Sequence, residues 1–193
     1  KALKYWFEKF EIETWWDKKV EELSKGMAQK VQFITTILHD PKLLIFDEPF
    51  SGFDPVNADL LKREILELRD KGATIIFSTH NMGTVEDLCE NISLVNKSQI
   101  VLQGNVAEIR ASHATETYLL KTRKDVEISG FELLDHKKQN GIFEYKLKKN
   151  AGDTNNTLLA KLMNQTEILS FEEILPSMND IFIQTVTQKG EEL

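Results

Sequence analysis

Between residues 25 and 39 the apolar positions Met27, Val31, Ile34 and Leu38 recur every three or four places, which predicts an amphipathic helix. Ser24 stands where its N-cap belongs. Residues 42–46 read differently. They form a short, nearly unbroken apolar run ending in Asp47 and Glu48, the pattern of a strand buried on both faces of a parallel sheet. Ser51-Gly52-Phe53-Asp54 makes a compact turn. Asp54-Pro55 then marks the start of a helix over 56–71, with Leu61, Ile65 and Leu68 inward and Gly72 as its stop. Residues 73–79, rich in β-branched and aromatic side chains, predict a second buried strand. Strand, helix and strand make a βαβ unit. Its two strands bring Asp47, Glu48, Ser78, Thr79 and His80 to one sheet edge, where open α/β sheets bind ligands.

The later part of the chain changes period. A short helix is expected at 84–90, paired strands at 92–96 and 99–103 around Lys97-Ser98, and a helix at 105–111 with Val106 and Ile109 inward. From about Ser112 strands dominate, at 115–123 and 131–138, followed by the hairpin turn of Asn140-Gly141. Phe143, Tyr145 and Leu147 alternate with Glu144, Lys146 and Lys148, giving that strand one buried and one wet face. A helix at 157–164 turns Leu158, Leu159 and Leu162 inward, and a strand follows at 168–171. Ser177 caps a last helix, with Asp180 placed as in a capping box and Ile181, Phe182 and Val186 along it. The order βββαβα predicts a small α+β module with its own core. It holds no cluster of His, Cys or paired carboxylates.

Composition narrows the class. A chain of 193 residues suits one good-sized domain or two small ones. Residues 1–12 read as an aromatic, charged helix without the apolar core of a signal peptide, and the apolar runs fall short of a membrane span. Cys89 is the one cysteine, so an internal disulfide is excluded and a reducing compartment is expected. A net charge of −7 without a Lys/Arg cluster argues against nucleic acid as the main partner.

The candidate chemistry gathers at the sheet edge. Magnesium takes oxygen ligands and keeps several waters, so one carboxylate near a phosphate suffices to hold it. A neighbouring carboxylate can orient or deprotonate an attacking water. The same residues also suit a strand that simply ends in solvent. Ser24 with Gly26 in the first turn leaves backbone N–H groups able to face an anion, yet equally describes an ordinary capped helix.

Taken together, Leu23-Ser24-Lys25-Gly26-Met27, Asp47-Glu48-Pro49 after an apolar strand, Ser51-Gly52-Phe53-Asp54-Pro55 and Ser78-Thr79-His80 resemble the second half of an ATP-binding-cassette (ABC) nucleotide-binding domain. The resemblance implies an α/β fold: a truncated P-loop NTPase-like domain over 1–111, with parallel strands and a helical subdomain at about 1–40, then an α+β extension over 112–193. It implies that Leu23, Ser24, Lys25, Gly26 and Met27 form the signature segment, with Ser24 and Gly26 meeting the γ-phosphate of ATP held by another subunit. Asp47 would hold Mg2+ through water, Glu48 would be the catalytic base, and His80 would contact the γ-phosphate. Ser51, Gly52, Phe53 and Asp54 would communicate across the dimer. Lys25 and Met27 stand where the commonest signature has glycine and glutamine.

A larger departure is the phosphate loop. None of the nine glycines belongs to a Gly-x-x-x-x-Gly-Lys-Ser/Thr motif, and no lysine directly follows a glycine. The family's glutamine loop is missing too. The resemblance therefore implies a parent that is the ATP-hydrolysing subunit of a bacterial transporter, an exporter, and a chain that is inactive alone. The parent would dimerise with a like or unlike cassette and bind a membrane-spanning subunit at the cytoplasmic face of the inner membrane. A non-transport cassette ATPase and a non-catalytic interaction module stay as alternatives. Tyr5, Trp6, Phe7, Phe10, Trp15 and Trp16 read as the helical subdomain's own core or as a groove for the membrane partner. The ending Pro-Ser-Met-Asn-Asp-Ile-Phe resembles the extension of export-type cassette ATPases and suggests a regulatory or subunit-contact role.

Overall fold

Caps and stop signals set the helices of the first half. In the computed structural model, which describes residues 1–150 and 152–190, α1 (Ala2–Lys9) runs shorter than expected because Glu11 turns to a φ of +55°. Single 3-10 turns at Glu13–Trp15 and Val20–Glu22 lead to α2 (Lys25–Ile37), where Ser24 Oγ accepts the Met27 N–H at 3.3 Å. In α3 (Pro55–Asp70) the Asp54 carboxylate accepts the Asn57 N–H at 3.1 Å, and that bond with a second from the Asn57 amide holds Asp54 below its ordinary pKa. Gly72 follows the helix at a φ of +98°, a conformation that any Cβ would strain.

β1 (Leu43–Asp47) and β2 (Thr74–Ser78) pair in parallel, Leu44 opposite Ile75 and Asp47 opposite Ser78, with α3 between them in sequence. The core beneath them joins Leu44 to Ile34 and Ile37 of α2, Leu61, Ile65 and Leu68 of α3, and Phe10 and Ile12. Two expectations need correction. The inward face of α2 is wider than its spacing suggested: Phe33 and Ile37 are buried and Leu38 only half-buried. Phe33 packs between Phe10 and Phe46, at 5.8 and 5.6 Å between ring centres, so the helix is contacted from two directions. Nor are the strands buried on both faces. Leu44, Phe46 and Ile75 meet the core, while Leu43, Ile45 and Ile76 are exposed, because both helices pack on the same side of the two strands.

The aromatics before Ser24 divide in the same way. Phe10 is buried, Trp6, Phe7 and Trp15 pack half-buried against the core, and Tyr5 and Trp16 are exposed. Lys9 reaches from α1 to two carboxylates of α3, Glu64 at 2.6 Å and Glu67 at 2.9 Å.

The chain divides into two compact units, Lys1–Thr84 and the residues from Val85 onward, with α4 (Met82–Leu88) carrying the division. In the second unit β3 (Asn91–Asn96) and β4 (Gln99–Asn105) form a hairpin whose turn residues Lys97 and Ser98 both have positive φ, as a two-residue turn of this twist needs. Asn105 caps α5 (Val106–Ser112). A four-stranded antiparallel sheet follows, built from β5 (Thr117–Thr122), β6 (Phe131–Gln139), β7 (Ile142–Lys149) and β8 (Ile168–Glu173) in the order β6-β7-β5-β8. Leu120, Tyr145 and Leu147 on one face meet Leu158 and Leu162 of α6 (Asn155–Met163). The Tyr145 hydroxyl donates to Asp125 at 2.7 Å and accepts the Val126 N–H at 2.9 Å, pinning the β5–β6 connection.

β6 is an edge strand. Leu134 bulges between the Leu133–Leu147 and Asp135–Lys146 pairs, and Lys137 and Lys138 lie beyond it, devices that discourage edge-to-edge pairing. Ser177 and Asp180 make the expected capping box at α7 (Met178–Gly190). Glu86 accepts the Met178 N–H at 2.7 Å and pairs with Arg110 at 3.1 Å, while Arg110 Nε donates to the Pro176 carbonyl at 3.0 Å.

One pH dependence follows from this sheet. Lys137 and Lys121 flank Glu144 at 3.1 Å each and hold it below its ordinary pKa of 4.5. Its contribution to stability is fully present above that value and fades as the pH falls through the lower folded-state pKa. Urea midpoints should drop between about pH 6 and about pH 3, and Glu144→Gln should lessen the drop. An unchanged drop would assign the effect to other carboxylates.

Candidate functional site

Asp47 and Glu48 leave the end of β1 beside the end of β2. The Ser78 hydroxyl donates to the Asp47 carboxylate, and the Glu48 N–H reaches Ser78 at 3.2 Å. Three donors converge on the Glu48 carboxylate: the His80 N–H at 2.9 Å, His80 Nδ1 at 2.6 Å and the Thr79 hydroxyl at 3.4 Å. Nδ1 carries the hydrogen in that contact, since a carboxylate only accepts. Glu48 has a φ of +45°, a conformation non-glycine residues avoid and one that gathers at functional sites. The structure thus joins Asp47, Glu48 and His80 into one group, Asp47 and His80 exposed and Glu48 half-buried, and adds Ser78 and Thr79 as the hydroxyls that orient the two acids.

A second group surrounds the start of α2. Ser24, Gly26 and Met27 line a cavity of about 210 Å3 together with Gly52, Phe53 and Asp54 of the turn after β1. Trp15, Lys30 and Asn57 complete it, and the Lys30 ammonium lies 5.9 Å from the Trp15 ring centre. Leu23 is the residue before the cap and Lys25 the first of the helix, whose side chain approaches Gly52. The turn is held to the helix by Gln29, whose Nε2 donates to the Ser51 carbonyl at 2.5 Å. Motif reading missed Gln29. The one available signal was its spacing of four from Lys25, which puts both side chains on one helix face.

The residues present suit a phosphate and its metal. Ser24 satisfies the Met27 N–H, and the first-turn N–H groups of Lys25 and Gly26 have no acceptor within the helix. A Cβ on Gly26 would meet nothing within 4 Å, so an anion has room to approach there. Among the described residues no three His, Cys, Asp or Glu converge to cage a metal. An ion held by one carboxylate, water and phosphate oxygens needs only a residue such as Asp47. No described helix is long and apolar enough to cross a membrane.

Comparison with known proteins adds to this geometry. An AAA-domain family of the AbiEii toxin type (type IV toxin–antitoxin system) matches residues 14–86, and the C-terminal domain of DrrA1-3-like ATP-binding proteins matches residues 104–186. YhaQ, an ABC transporter ATP-binding protein of Bacillus subtilis, is 41% identical over 193 residues, covering 96% of this chain and 62% of its own length. An Alkalihalophilus pseudofirmus protein of the same description is 36% identical over 188 residues, 95% of this chain and 69% of its own. The chain belongs to the ABC transporter ATP-binding protein family.

As a member of that family it shares its fold with the solved ATP-binding subunit of an ABC transporter, at a TM-score of 0.54 and 32% identity over 57% of this chain and 46% of that one. A fluoroquinolones export ATP-binding protein of Mycobacterium tuberculosis is 36% identical over 106 residues, 55% of this chain and 35% of its own. This ABC chain spans about 62% of the length of YhaQ.

Proposed function

We infer that this chain is part of an ATP-hydrolysing subunit of a bacterial ABC transporter, an exporter, acting as a dimer of like or unlike cassettes against a membrane-spanning subunit at the cytoplasmic face of the inner membrane. Residues 1–111 are the later part of the nucleotide-binding domain and 112–193 a C-terminal extension with a regulatory or subunit-contact role. The observation that carries the reading is the convergence of Thr79 and His80 on Glu48, beside the Asp47–Ser78 pair, at the ends of two parallel strands. The export-type relative supports the direction of transport.

Each residue then has a task. Ser24 and the first-turn N–H groups of α2, together with Gly26, face the γ-phosphate of ATP bound to the other subunit, where a helix N-terminus favours negative charge. Asp47, oriented by Ser78, would hold Mg2+ through water. Bound there, the ion would neutralise charge on the phosphates. Glu48 takes the proton of the attacking water. His80, donating through Nδ1 to Glu48, keeps that carboxylate at the sheet edge and stands beside the γ-phosphate. Ser51, Gly52, Phe53 and Asp54 form the turn that meets the other subunit. This chain carries no phosphate-loop motif and is expected to show no ATPase activity alone.

Gly26→Asp tests the signature segment. The open space at Gly26 lets the variant fold, while its carboxylate meets a phosphate with like charge. In the full-length protein it should bind ATP normally but lose ATP-driven dimerisation, read by sedimentation without magnesium, and lose at least about 100-fold in turnover. A dimer that still forms with ATP would remove Ser24–Gly26 from this role.

A further inference from the structure

Gln29 links the two groups of the candidate site. Its amide donates to the Ser51 carbonyl at 2.5 Å, and the Ser51 N–H donates to the Glu48 carbonyl at 3.1 Å. Two consecutive hydrogen bonds therefore run from the second turn of α2 to the backbone of Glu48. Gly52 shows how closely the turn lies on this side chain. At its φ of +83°, a Cβ would stand 3.3 Å from Gln29 Oε1 and 3.3 Å from Lys25 Cε.

The cost of the arrangement is visible in the same side chain. Gln29 Oε1 is buried without a hydrogen-bond partner among the described residues. Burying an unpaired amide oxygen is unfavourable, and an apolar side chain of similar length would avoid it. What such a side chain would lack is the donor to Ser51. The position thus carries an amide for the sake of one bond to the turn.

Resting on the roles given above to Glu48 and to Ser24–Gly26, we propose that Gln29 is a positioning residue: its N–H donor fixes the turn between Glu48 and Asp54 against the first turn of α2, so that the acid and the phosphate-facing segment keep one relative placement. It touches neither phosphate nor water itself. Its effect reaches catalysis through the backbone of Glu48.

Two variants of nearly unchanged size separate the donor from packing. Gln29→Glu replaces the donor with an acceptor facing the Ser51 carbonyl, and Gln29→Met removes polarity altogether. In the full-length protein both should keep KM for ATP within about twofold and lose about five- to tenfold in kcat, the scale of one positioned hydrogen bond. Protonating the new carboxyl restores an O–H donor. The kcat of Gln29→Glu relative to wild type should therefore rise as the pH falls toward the pKa of the new carboxyl, a rise Gln29→Met cannot show. Wild-type kcat in Gln29→Met overturns the role.

Amide hydrogen exchange at Ser51–Asp54 in the chain itself reads the tether without catalysis. Faster exchange in Gln29→Met is expected, and unchanged exchange overturns the proposal even if Gln29→Glu fails to fold. Absence of ATP hydrolysis by the wild-type full-length protein would instead sink the proposed function, and the exchange experiment would still decide the tether.

Discussion

Glu48→Gln in the full-length protein is expected to lower ATP turnover by roughly 10^3-fold, within the range for loss of a general base, while nucleotide binding stays within about twofold of wild type. The amide matches the carboxylate in size: its oxygen can stand in for the Oε1 that faces the His80 N–H, and its NH2 can donate to the Thr79 hydroxyl where Oε2 accepted from it, so the edge group should keep its shape. It cannot accept a proton from water. Binding should survive because the signature segment and Asp47 are untouched. ATP hydrolysis and equilibrium nucleotide binding, measured on the same preparation, make the test. Near-normal hydrolysis would remove Glu48 from its role as base, and weakened binding would make it a phosphate or metal ligand instead.

Lys9→Met is expected to destabilise the first unit by about 3 kcal/mol, the lower end of the cost of stripping a buried carboxylate of its cation. Glu64 is 2% exposed and Lys9 is its ion-pair partner, at 2.6 Å. Burial alone would depress the Lys9 pKa. Hydrogen bonds and attraction from Glu64 and Glu67 outweigh it and hold the ammonium well above its ordinary 10.5. The lysine's contribution is thus fully present below that value and fades only as the pH rises through the raised one. Urea unfolding at neutral pH reads the loss. Adding Glu64→Leu to Lys9→Met should recover most of it, because apolar side chains often replace a buried pair without penalty. A single variant within about 0.5 kcal/mol of wild type would mean that Glu64 reaches water when Lys9 is gone.

Elements whose boundaries carry chemical markers are legible in the amino-acid sequence. Ser24 and Asp54 start helices by accepting a backbone N–H three residues on, Gly72 ends one, and Asn140-Gly141 closes a hairpin of the expected turn. Alternation places Tyr145 and Leu147 inward, and the order βββαβα matches the elements from β5 to α7. Spacing does not say what covers a strand: Leu43, Ile45 and Ile76 read as interior and lie exposed.

The edge group is legible because motif order brings Asp47, Glu48 and His80 together whatever the loops do. Its supporting contacts are not. The Gln29–Ser51 bond spans 22 residues, and Lys9 and Glu64 meet across two helices. Glu64 does leave a trace, an acid at helical spacing among Leu61, Ile65 and Leu68. A charge on that stripe must find a partner, but periodicity does not name the partner.

The extra residue at Leu134 has a genetic counterpart. Loss of one codon inside a strand ordinarily turns every later side chain to the opposite face. In β6 it would do the reverse. Without Leu134, Asp135 would follow Leu133 directly, and their partners Lys146 and Leu147 are already neighbours in β7. The gene can lose that codon with every other residue of the strand keeping its face. What disappears is the kink that makes the edge a poor template, so such a deletion should keep the strand's pattern of faces while making its edge a better template for another chain.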